Sequence, residues 1–130
     1  MKEVYDFLKE AGTFYLATVD DGKPRVRPFG AVNIYKDRLY FQTGKAKKVF
    51  AQIMENPYVE ISAFTNGKWI RLSGKLIDDN TVEAKESMLS ENPMLKGMYS
   101  AQDDNTRVLY ITEAQADICS FNGETKTIKF

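Results

Sequence analysis

The chain has 130 residues, 43% of them apolar and 12% aromatic, enough to bury a core in one compact domain spanning 1–130. Its 18 basic and 18 acidic residues cancel, which argues against a dedicated nucleic-acid binder, whose affinity rests on surplus positive charge. Histidine is absent and Cys119 is the only cysteine, so His-based triads, His metal clusters and an intrachain disulfide are excluded.

In chain order, Val4, Phe7, Leu8 and Ala11 recur at helical spacing and predict an amphipathic helix that stops at Gly12. TFYLATV reads as a strand, Asp20, Asp21 and Gly22 as a tight turn, and KPRVRPFGAVNIY as one long extended run. Pro24 and Pro28 suggest an edge strand or a bulge. After a turn at Lys36 and Asp37, RLYFQT forms the next strand. Ala46, Val49, Phe50 and Ile53 make the apolar stripe of a helix ending before Asn56-Pro57. YVEISAFT and KWIRLSGKLI flank Asn66-Gly67, and VLYITEAQADICSF meets ETKTIKF across Asn122-Gly123. Asn-Gly between such runs is the strongest short-range hairpin signal. Residues 80–99 read as helical with Pro93 as an interruption, and 101–105 as a polar loop. Six or seven mostly antiparallel strands with peripheral helices predict a mainly β fold, a small split β-barrel.

Charge is unevenly spread, with 10 basic and 6 acidic residues in 1–50. Along an extended strand Arg25, Arg27 and Phe29 share one face, and the two guanidiniums lie roughly 7 Å apart. A second strand ends in Thr43-Gly44, and Lys45, Lys47 and Lys48 fall in the first turn of the following helix. Free N–H groups, the positive dipole end and ammonium groups all favour a phosphate there. A P-loop is excluded, because Leu39 and Ala46 stand where it needs Gly and Ser or Thr.

Simpler roles compete for the same residues. Arg25 and Arg27 suit solvated strand positions, Lys45 is the lysine most readily left to solvent, and Thr43 suits a helix N-cap. Trp69 and Arg71 share a strand face and read first as interface residues. Met88, Leu89, Met94, Leu95, Met98 and Tyr99 read as packing, and Cys119 as a small buried residue. The acid pairs Asp20-Asp21, Asp78-Asp79 and Asp103-Asp104 read as turns. One thiol, no signal peptide and no run of the ~18 apolar residues a membrane span needs predict a soluble, cytoplasmic protein with no membrane partner.

The order of parts resembles a known family. A short helix, a hairpin bearing Arg-x-Arg-Pro, a strand ending in Thr-Gly, a lysine-bearing helix closing in Asn-Pro and a Trp-x-Arg-x-Ser-Gly strand follow one another. This is similar to the pyridoxamine 5′-phosphate oxidase-like FMN-binding split barrels, and among them to small proteins related to the nitroimidazole-resistance group. The resemblance implies a homodimer with flavin mononucleotide (FMN) in a groove between subunits. It places Arg25, Arg27, Pro28, Phe29 and Gly30 beside the isoalloxazine ring, and Gln42, Thr43, Lys47 and Lys48 at the ribityl phosphate. It also implies that Trp69 and Arg71 contact the cofactor from the partner chain.

Because a flavin supplies the redox chemistry, the missing histidine is no obstacle. Drug inactivation through a histidine at the flavin is not expected, nor is pyridoxamine phosphate as substrate, since the tail ETKTIKF lacks the basic and aromatic set of the vitamin B6 oxidase. The expected activity is an FMN-dependent oxidoreductase that takes electrons from a reduced nicotinamide or another donor and passes them to a small-molecule acceptor. A flavin- or haem-binding carrier or sensor without turnover is the second reading, deazaflavin is an alternative to FMN, and a small β-barrel nucleic-acid binder is the third.

Overall fold

The computed structural model describes residues 1–130. The elements run α1 (Lys2–Ala11), β1 (Phe14–Asp20), β2 (Lys23–Phe29), β3 (Val32–Tyr35), β4 (Arg38–Gly44), α2 (Lys48–Glu55), β5 (Tyr58–Thr65), β6 (Lys68–Asp79), α3 (Val82–Glu91), a 3-10 turn (Pro93–Gly97), β7 (Thr106–Ser120) and β8 (Thr125–Lys129). No helix is long and apolar enough to cross a membrane.

All eight strands form one antiparallel sheet in the order β2-β1-β5-β6-β7-β4-β3, with β8 also paired to β7. The ends of this order, β2 and β3, are joined only by Gly30 and Ala31, so the sheet has to curl until its ends meet. Phe14 on β1 and Phe41 on β4 touch edge to face inside it, ring centroids 5.7 Å apart. The expected extended run over KPRVRPFGAVNIY is therefore two strands belonging to opposite ends of the sheet, which raises the count to eight. Its prolines lie on β2, which pairs with β1 alone and so tolerates missing N–H donors.

The core fills the curl. Phe14, Leu16, Phe41, Ile61, Ile70 and Leu72 line it, and Val4 and Leu8 of α1 with Val49, Phe50 and Ile53 of α2 close it. Helix α2 packs on β1 and β4, across the seam, while α3 packs outside on β3, β4 and β7 over Tyr40 and Val108. Asn66 and Gly67 both have positive φ, 52° and 71°, which is the backbone an Asn-Gly hairpin turn requires.

The long strands bend to serve two neighbours. Residues 106–110 of β7 pair with β4 and residues 115–119 with β8. Register against β6 shifts between Ser73 and Lys75, where Gly74 lets Ile111 approach. A Cβ at Gly74 would stand 2.7 Å from Ile111 Cγ1 and 2.9 Å from the Thr112 carbonyl.

Two local expectations are corrected. Asp78 and Asp79 are not a turn but the last two residues of β6, opposite Leu109 and Val108. Tyr40 donates to Asp79 Oδ2 at 2.8 Å and Arg107 reaches Asp78 Oδ2 at 3.4 Å, so both carboxylates have partners within the sheet. Cys119 is half-buried on β7 rather than enclosed.

Candidate functional site

The seam leaves a cleft of about 390 Å³, within the size range of small-molecule sites. Gly12, the β2–β3 link with Arg27, Pro28, Phe29, Gly30 and Ala31, the end of β4 with Gln42 and Thr43, Lys47 and Val49 at the start of α2, and Met94, Leu95, Met98 and Tyr99 around the 3-10 turn line it. Curling brings these distant segments together.

One side of the cleft is cationic. Arg27 pairs across from buried Leu16, so its side chain turns inward beneath α2. Its Nη1 donates to Thr18 Oγ1 at 2.8 Å and to the Leu16 carbonyl at 3.2 Å, and its Nη2 donates to Gln52 Oε1 at 2.6 Å. Thr18 also donates to Gln52 Oε1, at 2.6 Å. Neutral acceptors thus hold the guanidinium in place, burial lowers its pKa from the usual arginine value, and no carboxylate stands among the lining residues. Lys47 adds a second cation without an acid partner.

The N-terminus of α2 reinforces this polarity. Its N-cap is Lys47, no side chain caps it and no acid lies in its first turn. By contrast, α3 is capped by Thr81 Oγ1 and carries Glu83 in its first turn, the usual way to satisfy free N–H groups and the dipole. An uncapped start flanked by cations suits an anion supplied from outside.

The cleft also has an apolar lining. Met94 and Met98 remain 77% and 75% exposed while facing the cleft with Leu95 and Tyr99. Met88, Leu89 and Tyr99, by contrast, are buried, and Leu95 packs partly buried against them. The expectation that all six residues were packing therefore holds for these four and not for Met94 and Met98.

Seven of the eleven residues singled out in the sequence line the cleft: Arg27, Pro28, Phe29, Gly30, Gln42, Thr43 and Lys47. Arg25 shares the strand face of Arg27 but sits near the hairpin turn, half-exposed, 3.6 Å from Asp20 Oδ2. Lys48 is the exposed first residue of α2 and does not line the cleft. Thr43 is not an N-cap. It is buried in β4, because a turn through residues 44–47 intervenes before α2, and Lys45 lies in that turn, paired with Asp104 at 3.3 Å. Trp69 and Arg71 are outside the cleft on β6, Trp69 packed on Phe121 with centroids 5.0 Å apart and Arg71 near Glu60 at 3.4 Å.

Sequence reasoning missed Thr18 and Gln52, which hold Arg27, and Asn105, which holds the turn before α2. Gln52 follows buried Val49 by three residues, a helical spacing that sets it at the edge of the packed face of α2. Nothing local in the sequence marks the role of Asn105, since the turn its side chain holds, at Ala46, is 59 residues away.

The family model for pyridoxamine 5′-phosphate oxidase matches residues 1–118. The chain belongs to the pyridoxamine 5′-phosphate oxidase family. A NimC/NimA family protein from Clostridium acetobutylicum is 47% identical over 100% of this chain and 92% of its own, with a TM-score of 0.97. A pyridoxamine 5′-phosphate oxidase-related, FMN-binding protein from Nostoc punctiforme is 17% identical over 99% of this chain and 95% of its own, TM-score 0.66. A haem-binding protein from Mycobacterium smegmatis is 12% identical over 94% of this chain and 57% of its own, TM-score 0.69. The last two share the fold of the family with this chain. No curated protein matches the sequence.

Proposed function

We propose that this member of the pyridoxamine 5′-phosphate oxidase family binds FMN in the seam cleft and is an oxidoreductase acting on a small-molecule acceptor, with a reduced nicotinamide as donor. The carrying observation is the mixed lining of the cleft: Arg27, Lys47 and an uncapped helix start, an apolar set from the 3-10 turn, and no carboxylate among them. A phosphomonoester with about two negative charges fits the cations, and a flat apolar ring fits the apolar set. The donor set therefore fits FMN.

In this reading Arg27, which the family resemblance set beside the ring, instead joins Lys47 and the first amides of α2 at the phosphate, with Gln42 and Thr43 beside them. Residues 28–31 run along the ring, and Leu95, Met94 and Met98 exclude water from it. FMN when bound supplies the hydride and electron chemistry. The chain's own contribution is to bind, orient and desolvate.

The homodimer is part of the proposal. The face of β1, β2, β5 and β6 turned away from the core carries Tyr15, Val26, Tyr58 and Phe64, the last 60% exposed, a concentration of apolar side chains that suits association. Register links Pro28 to Tyr15, Tyr15 to Ser62 and Ser62 to Arg71. Because Pro28 also lines the cleft, a second copy seated on this face would reach the cleft with residues of that surface. Trp69 and Arg71 lie on it, which supports their proposed contact from the partner.

The visible spectrum of purified protein, taken before and after adding FMN and desalting, tests the cofactor. Retained flavin absorbance supports the proposal, whereas a haem spectrum or no uptake of FMN overturns it. Anaerobic mixing with each reduced nicotinamide then tests the donor, and flavin that stays oxidised with both removes that part.

A further inference from the structure

We infer that Asn105, in the loop before β7, is a positioning residue for the phosphate end of the cleft, acting through the turn that starts α2. The inference rests on the proposed FMN reading and extends it to a residue outside the cleft.

The turn over residues 44–47 has little structure of its own. Within it only Lys47 N–H donates back, to the Gly44 carbonyl at 3.0 Å, and α2 then begins with Phe50 N–H donating to the Lys47 carbonyl at 3.1 Å. The two amides between are satisfied from one distant residue. Lys45 N–H donates to the Asn105 carbonyl at 2.7 Å, and Ala46 N–H donates to Asn105 Oδ1 at 3.0 Å. Asn105 thus grips consecutive peptide groups with its backbone and its side chain at once.

Packing fixes the same contact. A Cβ at Gly44 would lie 3.1 Å from Asn105 Nδ2 and 3.3 Å from the Tyr99 hydroxyl, so glycine is what allows the side chain to lie against the turn. Asn105 is itself anchored, since its N–H donates to Asp103 Oδ1 at 3.0 Å, and the same carboxylate accepts from the Ser100 and Thr106 amides. The chain of support runs from Asp103 through Asn105 to the turn, and from the turn to Lys47 and the first amides of α2. Placement of a charged donor by even small distances matters to an anion, and an unsupported turn places nothing.

Asn105 does not line the cleft, so its loss should act on the phosphate alone. In Asn105→Ala the backbone carbonyl still holds Lys45, while Ala46 N–H loses its acceptor. Loss of one hydrogen bond of this kind corresponds to about fivefold. The experiment measures dissociation constants of FMN and of riboflavin, which lacks the phosphate, for wild type and Asn105→Ala, together with amide hydrogen exchange across 44–48. The expected result is FMN binding weakened about fivefold, riboflavin binding unchanged, and faster exchange at Ala46 in the variant. Equal loss of both flavins indicates general damage and overturns the inference, as does FMN affinity at the wild-type level. Wild type that binds riboflavin as tightly as FMN, or neither, overturns the phosphate site itself, and the exchange data then state separately whether Asn105 holds the turn.

Discussion

Replacing Arg27 by alanine isolates the cationic side of the cleft. The guanidinium donates to Thr18 Oγ1, the Leu16 carbonyl and Gln52 Oε1, none of them charged. Removing it leaves no buried carboxylate unpaired, and Thr18 remains bonded to Gln52 at 2.6 Å. Three bonds from a charged donor are lost, offset in part by the burial the cation no longer suffers, so the cost to folding is about 1 to 3 kcal/mol. Toward FMN, a hydrogen bond to a charged group contributes about 1.5 to 3 kcal/mol, or roughly 10- to 150-fold in affinity. Riboflavin separates charge from shape: its affinity should change less than twofold. Titration followed by flavin fluorescence, with a thermal melt of each protein, measures all three quantities. An Arg27→Ala protein that stays folded and binds FMN as tightly would refute the phosphate assignment, and so would equal losses for FMN and riboflavin.

Other outcomes follow from the same geometry. Lys47→Ala should weaken FMN by about 1 kcal/mol or more, and Lys48→Ala by clearly less because Lys48 does not line the cleft; parallel titrations check this, and the reverse order would move the phosphate along α2. Gly74→Ala should lower stability by about 1 to 3 kcal/mol through overpacking against Ile111, read as a drop in denaturation midpoint, and an unchanged midpoint would contradict the tight register shift. Hydrogen bonds from the Ser100 and Thr106 amides bring the Asp103 carboxyl down to about 2 from 3.8. Its stabilising contribution is therefore present above about 3.8 and lost as pH falls through about 2. Asp103→Asn should melt below wild type at neutral pH, and the gap should close across that window in melts at stepped pH; a gap independent of pH would rule this out. Phe64→Asp should convert a dimer to a monomer in sedimentation, while an assembly that survives would place the interface on another face.

Much of the local structure was legible because its causes are local. Val4 and Leu8 at helical spacing, Asn66-Gly67 between alternating runs and prolines on β2 each carry their reason within a few residues, and each element formed where those signals lie. Boundaries failed where a partner distant in sequence decided. Asp78-Asp79 looks like a turn until Arg107 and Tyr40 receive the two carboxylates. The run from Lys23 to Tyr35 looks like one strand until the curl of the sheet divides it at Gly30 and Ala31.

For the site, residue types alone indicated an anion: arginines on one strand face, lysines at a helix start, and no histidine to suggest other chemistry. Which cations line the cleft was a matter of tertiary structure. Arg25 and Arg27 are two residues apart on one face, yet Asp20 stands beside the first at the hairpin end, while Thr18 and Gln52 hold the second inside the seam. Lys47 and Lys48 are neighbours, and only the path of the turn before α2 puts Lys47 on the cleft. Sequence by itself determined most of the elements, their antiparallel pairing signals and the cationic character of the segments that line the cleft, because periodicity and side-chain chemistry are properties of short segments. Tertiary structure alone decided that β2, β4, α2 and the 3-10 turn share one cleft, because closure of a curled sheet depends on all its strands at once.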